Sequence, residues 1–392
     1  MRRRLVLMFA AAVLFAAIVA TVNCLVNPYG AFHSELLNPI FRKIQQERLA
    51  TPYLIRTARP HTVLVGSSRV LLGMPIPQAM RDGVINAALS ASTMKQLCAL
   101  LRLALKQPDL QQIIWGVDFF TFDKNWNRND PLFNRRTENR FSQKLEDAVI
   151  SASAFDDSID CVKRALRGRA KLPPIATASI PWPPALICGD FEARRNAGLA
   201  HTGPLSIRHQ LTDDVPNYAR FEFSQEFFDL FRDTVNLARS HDLRVILFVP
   251  PMNQYELEMI RLSGHWDDFQ NWKRMLATIG PYVDFSGYNE IAQSDGMFMH
   301  LMHFKSAVGE TMLRILLEQP LETCGAMPEI VARSAMRVDA ASVEDALKKQ
   351  ERMRLAVAND DSRYARMVAM VLAERRGAAG NSATGDFAGE KR

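Results

Sequence analysis

The sequence predicts an α/β domain in which helices cover both faces of a parallel sheet, with one transmembrane helix preceding it. The first observation is a set of continuous apolar runs, which are typical of strands buried on both faces of a sheet. The second is that amphipathic helical patterns separate these runs, as in alternating β and α units. The runs cover residues 62–66, 112–117, 244–249 and 282–285, and the helical patterns cover residues 93–106, 227–238, 260–276 and 304–317.

Composition narrows the classes of function. The 392 residues are 48% hydrophobic and 23% charged, which is ordinary for a folded protein. The net charge of +6 forms no block of Lys and Arg interleaved with aromatics, so nucleic-acid binding is not expected. Five scattered cysteines without a CxxC pair do not predict a zinc site, and no cofactor is expected. An oxidising compartment would permit a Cys161–Cys188 bridge, although buried thiols are the expected state.

The N-terminus predicts a membrane anchor. Arg2, Arg3 and Arg4 precede an uncharged run from Leu5 to Val26. As a helix this run is about 33 Å long, which matches a bilayer core of about 30 Å. The arginines favour the cytoplasmic side and place the rest of the chain on the opposite side. The alternative is a cleaved signal peptide, whose apolar region is usually shorter and ends in small residues.

The remaining chain divides by composition into three parts. Proline and glycine in residues 27–30 end the anchor, and a polar, basic stalk is predicted after it. The tail is predicted to hold helices at about 341–357 and 361–376 before a Gly-, Ala- and Ser-rich disordered end. The predicted parts are the anchor at 1–27, the stalk at 28–58, the α/β domain at 59–319 and the tail at 320–392. Within the domain, residues 124–221 are predicted to be an irregular insertion with helix near 142–167.

Three loops of the predicted domain carry residues that could take part in catalysis. Ser68 follows the first strand in a Gly-Ser-Ser-Arg turn, Asp118 follows the second strand, and His303 precedes the last helix. Ligands of parallel sheets bind beyond the carboxyl ends of the strands, so these residues are expected at one rim. A serine and a histidine that are distant in sequence can form a nucleophile–base pair. Taken alone, a Gly-Ser-Ser turn before a helix is more often a helix cap.

These loops resemble the sequence blocks of the SGNH hydrolase superfamily, which implies a flavodoxin-like three-layer α/β/α fold. The resemblance implies that Ser68 is the nucleophile and His303 the general base. Residues 86–91 resemble the second block, with Ala88 where an oxyanion-hole glycine is usual and Asn86 as a substrate contact. Asp118 replaces the asparagine of the third block.

The acid of the last block is also replaced. His300 stands three residues before His303, where the family has an aspartate. Asp295 or Asp284 is a candidate substitute for that acid. Arg69 either binds an anionic substrate or pairs with a carboxylate. His300 and His303 are too few to predict a metal site.

A narrower resemblance covers about residues 1–318. The chain is similar to membrane-anchored SGNH-like proteins of proteobacteria with an Asn-Pro-Tyr-Gly segment after the anchor, here residues 27–30, and an Asp-Phe-Ser-x-Tyr-Asn segment, here residues 284–289. This resemblance implies a single-pass protein of the bacterial inner membrane with a periplasmic domain. More distantly, the chain resembles periplasmic proteins that transfer acetyl or D-alanyl groups to cell-surface polymers.

Two functions follow from the resemblance. The first is a serine esterase or O-acyltransferase that acts on acylated cell-envelope glycan. The second is a catalytically degenerate subunit that binds glycan or assembles with a membrane acyltransferase. Intact Ser68 and His303 favour the enzyme, whereas the missing acid and Asp118 favour the binding subunit.

Overall fold

A six-stranded, mostly parallel sheet forms the centre of the protein. The computed structural model describes residues 2–34, 36–37, 46–74, 76, 83–127, 130–138, 141–168, 203–321 and 326–384. The six strands are β1 (Thr62–Val65), β2 (Val84–Asn86), β3 (Gln112–Gly116), β4 (Arg244–Val249), β5 (Tyr282–Asp284) and β8 (Met336–Val338). Their order in the sheet is β2-β1-β3-β4-β5-β8, in which the first five strands are parallel and β8 is antiparallel to β5. The predicted α/β class and parallel sheet are therefore confirmed.

Helices follow most of the strands. The first eight are α1 (Arg2–Val26), α2 (Glu47–Ala58), α3 (Ser68–Gly73), α4 (Met94–Ala104), α5 (Pro131–Thr137), α6 (Phe141–Lys144), α7 (Ala152–Gly168) and α8 (Pro204–Asp213). The others are α9 (Gln225–Ser240), α10 (Gln254–Leu262), α11 (Trp266–Ile279), α12 (Ser306–Leu316), α13 (Ala326–Ser334), α14 (Val343–Val357) and α15 (Arg363–Thr384). Helices α6 and α7 match the predicted helix near 142–167. Cys188, with which Cys161 could form the bridge considered above, lies outside the described residues.

Two glycines let α3 begin directly above the sheet. Gly66 follows β1 and Gly116 ends β3, and the two strands are neighbours. A Cβ atom on either glycine would lie 2.4 Å from Val70 Cγ2, closer than real carbon contacts. The absence of both side chains therefore lets Val70 pack on the strand ends, which fixes the helix that carries Ser68.

A short hairpin brings His303 to the same helix. The hairpin pairs β6 (Phe298–His300) with β7 (His303–Phe304) in antiparallel register. The Phe304 ring lies against Gly73 at the end of α3, where a Cβ atom would be 2.3 Å from the ring. Helix α12 crosses α3 so closely that a Cβ on Gly309 would lie 1.8 Å from the Gly73 carbonyl oxygen. These contacts place the hairpin and α3 at one rim.

The segment after the anchor is packed on the domain, so the predicted stalk is wrong for its described residues. Tyr29 and Ala31 are buried, and the Tyr29 hydroxyl donates to Asp157 at 2.7 Å. Helix α2 buries Tyr53 and Leu54 in the main core. Among the described residues, α1 is the helix long and apolar enough to span a membrane.

The predicted tail is also part of the domain. Strand β8 extends the sheet, and α14 and α15 match the helices predicted at about 341–357 and 361–376. Helix α15 packs on α10, and Gln350 of α14 is fully buried. The boundary expected at residue 319 therefore separates no independent unit. The predicted disordered end lies largely outside the described residues, from 385 onward.

Candidate functional site

Ser68 occupies the first position of α3, at the carboxyl end of β1. Ser67 caps the helix, because its hydroxyl accepts a hydrogen bond from the Arg69 backbone N–H at 3.2 Å. Ser67 is fully buried, whereas Ser68 is partly exposed. The Gly-Ser-Ser turn is thus a helix cap, and it also presents the second serine at the rim.

Arg69 is the centre of a buried charge network and is not available as a substrate clamp. Its side chain is 0% exposed, so the predicted substrate contact is corrected in favour of the predicted alternative, pairing with a carboxylate, which here is buried and not on the surface. One guanidinium nitrogen donates to Asp118 Oδ1 at 3.0 Å, and another donates to Glu256 Oε2. The Tyr218 hydroxyl completes the network by donating to Glu256 Oε1 at 2.9 Å.

This network explains the aspartate at position 118. Asp118 is directed to Arg69, and burial raises its pKa even though the Arg69 charge opposes that shift. Burial would lower the pKa of Arg69, but the carboxylates of Glu256 and Asp118 outweigh burial and raise it. Asp118 therefore neutralises part of the charge environment of the buried Arg69, and it offers no hydrogen bond to an oxyanion. Its Oδ2 atom has no hydrogen-bond partner among the described residues.

Asn86 and Ala88, in the segment 86–91, make hydrogen bonds within the domain, so the Ala88 backbone N–H is not free to bind an oxyanion. Asn86 is 0% exposed, and its amide nitrogen donates to the carbonyls of Val70 at 3.0 Å and Met74 at 3.2 Å. The Ala88 backbone N–H donates to Asn86 Oδ1 at 3.1 Å. The oxyanion role of Ala88 and the substrate role of Asn86 are therefore corrected, because both groups already serve the packing of α3.

His303 lies at the rim but lacks the partners of a general base. Both ring nitrogens are shielded from solvent and have no hydrogen-bond partner among the described residues. The Ser68 hydroxyl is accordingly not hydrogen-bonded to His303. Burial, His300 and the positive charge of Arg69 lower the pKa of His303 to about 3. The imidazole is thus neutral at physiological pH, and its protonated form is strongly disfavoured.

His300 occupies the acid position and has its own carboxylate. Its Nε2 atom lies 3.1 Å from Asp214 Oδ2, and its ring centroid is 5.4 Å from that of His303. Burial lowers the pKa of His300 although Asp214 opposes that change. Asp214 therefore orients His300 and makes no hydrogen bond to His303.

Neither substitute acid reaches His303. Asp284 accepts hydrogen bonds from Ser286 Oγ at 2.6 Å and Gln350 at 2.7 Å and is paired with Lys273 at 2.9 Å. Asp295 pairs with Arg363 of α15 at 2.5 Å. Both carboxylates bind elements that follow or flank the site, so the expectation that one of them orients His303 is wrong.

Three residues of this region were not anticipated from the sequence. Glu256 and Tyr218 complete the Arg69 network, and Asp214 binds His300. Glu256 and Tyr218 lie within an ordinary helix and an irregular segment, where a buried polar residue carries no distinct pattern. Among the described residues, no cluster of three or more His, Cys, Asp or Glu side chains could hold a metal ion.

Comparisons with known proteins do not assign a family. No family model and no curated protein matches the chain. One solved structure, "The structure of a putative platelet activating factor from Streptococcus pneumonia", aligns with a TM-score of 0.33 and 11% identity. The alignment covers 70% of this chain and 90% of that chain. A score and identity this low show neither a shared fold nor a shared activity.

Proposed function

We propose that the chain is a single-pass inner-membrane protein whose periplasmic SGNH-like domain binds envelope glycan or assembles with a membrane acyltransferase. In this proposal the domain retains the framework of a serine hydrolase but not its chemistry. The strand order β2-β1-β3-β4-β5 supports the framework, because it is the order of flavodoxin-like sheets. The state of His303 supports the loss of chemistry.

His303 is the observation that carries the proposal. A general base must accept the serine proton, and catalysis is most efficient when the pKa of the base lies near the working pH. A histidine with a pKa of about 3 and no carboxylate on its second nitrogen meets neither requirement. The Arg69 charge would also oppose the imidazolium that forms when the serine is deprotonated.

The packing of α1 supports an uncleaved anchor. Asn23 is 0% exposed and donates to the carbonyls of Val149 at 3.0 Å and Ser151 at 3.1 Å. It also accepts a hydrogen bond from Ser158 at 3.0 Å. A signal peptide leaves the mature protein, so its residues have no reason to satisfy buried groups of the domain.

The esterase remains a second candidate because Ser68 and the His303 hairpin lie at one rim. Arg69 follows Ser68 and Met302 precedes His303 in the chain. A guanidinium nitrogen of Arg69 lies 3.5 Å from the Sδ atom of Met302. Catalytic hydrogen bonds often become short only when the substrate binds. The esterase therefore needs a test of its own.

Labelling by a fluorophosphonate separates the two candidates. The probe is applied to the full chain in detergent, next to its Ser68→Ala and His303→Ala variants and a known serine esterase. We expect no labelling above the Ser68→Ala level and no turnover of activated acetyl esters during long incubation. Labelling that depends on both Ser68 and His303 would establish the esterase and refute the binding subunit.

A further inference from the structure

The exposed part of helix α1 is shorter than the hydrocarbon core of a bilayer is thick. Residues Leu5 to Ile18 of α1 are exposed, whereas Val19, Asn23 and Val26 are buried against the domain. The exposed part is about 21 Å long, and a bilayer core is about 30 Å thick. The last two turns of α1 must therefore supply the remaining thickness while they are docked on the domain.

Helix α7 lies beside these turns and has two adjacent apolar stripes. One stripe is buried and consists of Ala154, Ser158, Cys161 and Ala165, of which Ser158 donates to Asn23 of α1. The other consists of Phe155, Ile159, Val162 and Leu166, at the same helical spacing. Ile159 is 38% exposed and Leu166 is 65% exposed with respect to the described chain.

Two more exposed apolar side chains lie in the segment before α7. Phe141 of α6 is 79% exposed, and Ile150, which precedes α7, is 52% exposed. Ile150 lies beside the end of α1, because Asn23 donates to the carbonyls on either side of it. Phe141 lies in α6, which packs on residues 145–149, and these residues contact α1. The exposed apolar surface is thus continuous in sequence with the α1 contact.

We propose that α6 and α7 form a membrane-contact face that lies in the leaflet on the domain side. This face, defined by Phe141, Ile150, Ile159 and Leu166, covers the part of the bilayer thickness that the free part of α1 cannot span. In that leaflet the exposed apolar side chains would contact lipid acyl chains and not water, which is favourable. The inference rests on the proposed membrane anchoring of α1.

Lipid cross-linking tests the face directly. The full chain is reconstituted in nanodiscs of phosphatidylethanolamine and phosphatidylglycerol that contain a phospholipid with a diazirine in its acyl chain. After irradiation, mass spectrometry locates the lipid adducts. We expect adducts on α1 and on residues 141–167, and none on Leu205 or Leu355, which are equally apolar and exposed elsewhere.

A pair of double variants provides the matched comparison. Ile159→Gln with Leu166→Gln is expected to reduce the α7 adducts severalfold and leave the α1 adducts unchanged. Leu205→Gln with Leu355→Gln is expected to change neither. Adducts on α1 without adducts on residues 141–167 would overturn the membrane-contact face alone. The absence of adducts on α1 would instead overturn the anchoring on which it rests.

Discussion

Removing the Arg69 side chain probes the energetics of the site most sharply. The Arg69→Met variant keeps the apolar stem but leaves Asp118 and Glu256 as two buried carboxylates without a cation. Loss of one partner from a buried ion pair costs about 3–5 kcal/mol. Since whole domains are stable by about 5–15 kcal/mol, this variant is expected to be severely destabilised.

A surface arginine with the same number of partners gives the control. Arg232 contacts Asp229 at 2.8 Å and Asp233 at 3.3 Å, but its side chain is 44% exposed. Exposed pairs contribute about 0–1 kcal/mol, so Arg232→Met is expected to be nearly neutral. Urea unfolding of both variants in detergent, followed by tryptophan fluorescence, compares the two midpoints at constant slope.

The Arg69→Met variant should also recover stability in acid. The pKa of Asp118 is already raised by burial and rises further without the Arg69 charge. A carboxyl that binds protons more readily in the folded state stabilises the fold below its unfolded pKa, and this contribution is lost as the pH rises. The deficit of the variant should therefore shrink from pH 7 to pH 5. Equal midpoints for Arg69→Met and Arg232→Met at pH 7 would refute the reasoning.

Three further substitutions test the framework around the site. Gln350→Leu leaves two buried charged partners with fewer hydrogen bonds, so a loss of about 1–3 kcal/mol is expected in urea unfolding. Asn23→Leu removes the hydrogen bonds that dock the anchor, so faster hydrogen exchange is expected at residues 149–158, and unchanged exchange would show that docking does not depend on them. Gly309→Ala pushes a methyl group into the Gly73 carbonyl and should cost about 1–3 kcal/mol or more, whereas Gly203→Ala meets nothing within 4 Å and should be close to neutral.

The long apolar strands of the fold could be predicted because their pattern is continuous. Residues 62–66, 112–117 and 244–249 match β1, β3 and β4. Residues 282–285 likewise match β5, although that strand has three residues. Strands β2 and β8 were not predicted, because Asn86 in β2 and Arg337 in β8 interrupt their apolar runs. Helix α2 was mistaken for part of a stalk because its buried run, residues 50–55, is short, contains a proline and is flanked by charged residues.

The site could be predicted by position but not by chemistry. Ser68 lies at the carboxyl end of a parallel strand, as expected. The His303 hairpin is a separate antiparallel pair that contacts the helix carrying Ser68. The roles of Arg69 and Asp118 depend on Glu256, which is 187 residues from Arg69 in sequence, and no local pattern announces such a partner. The hydrogen bond that occupies the Ala88 N–H likewise depends on the orientation of the Asn86 side chain, which the sequence does not specify.

The ionisation of His303 tests the central claim most directly. Carbon-13 NMR of histidine-labelled protein follows the ring signals between pH 5 and pH 8, and the His303→Gln variant assigns the resonance. A pKa of about 3 predicts that the His303 signals do not move in this range. Titration of His303 near its ordinary pKa of about 6.5 or above would contradict the account, because it would restore a histidine able to accept the Ser68 proton.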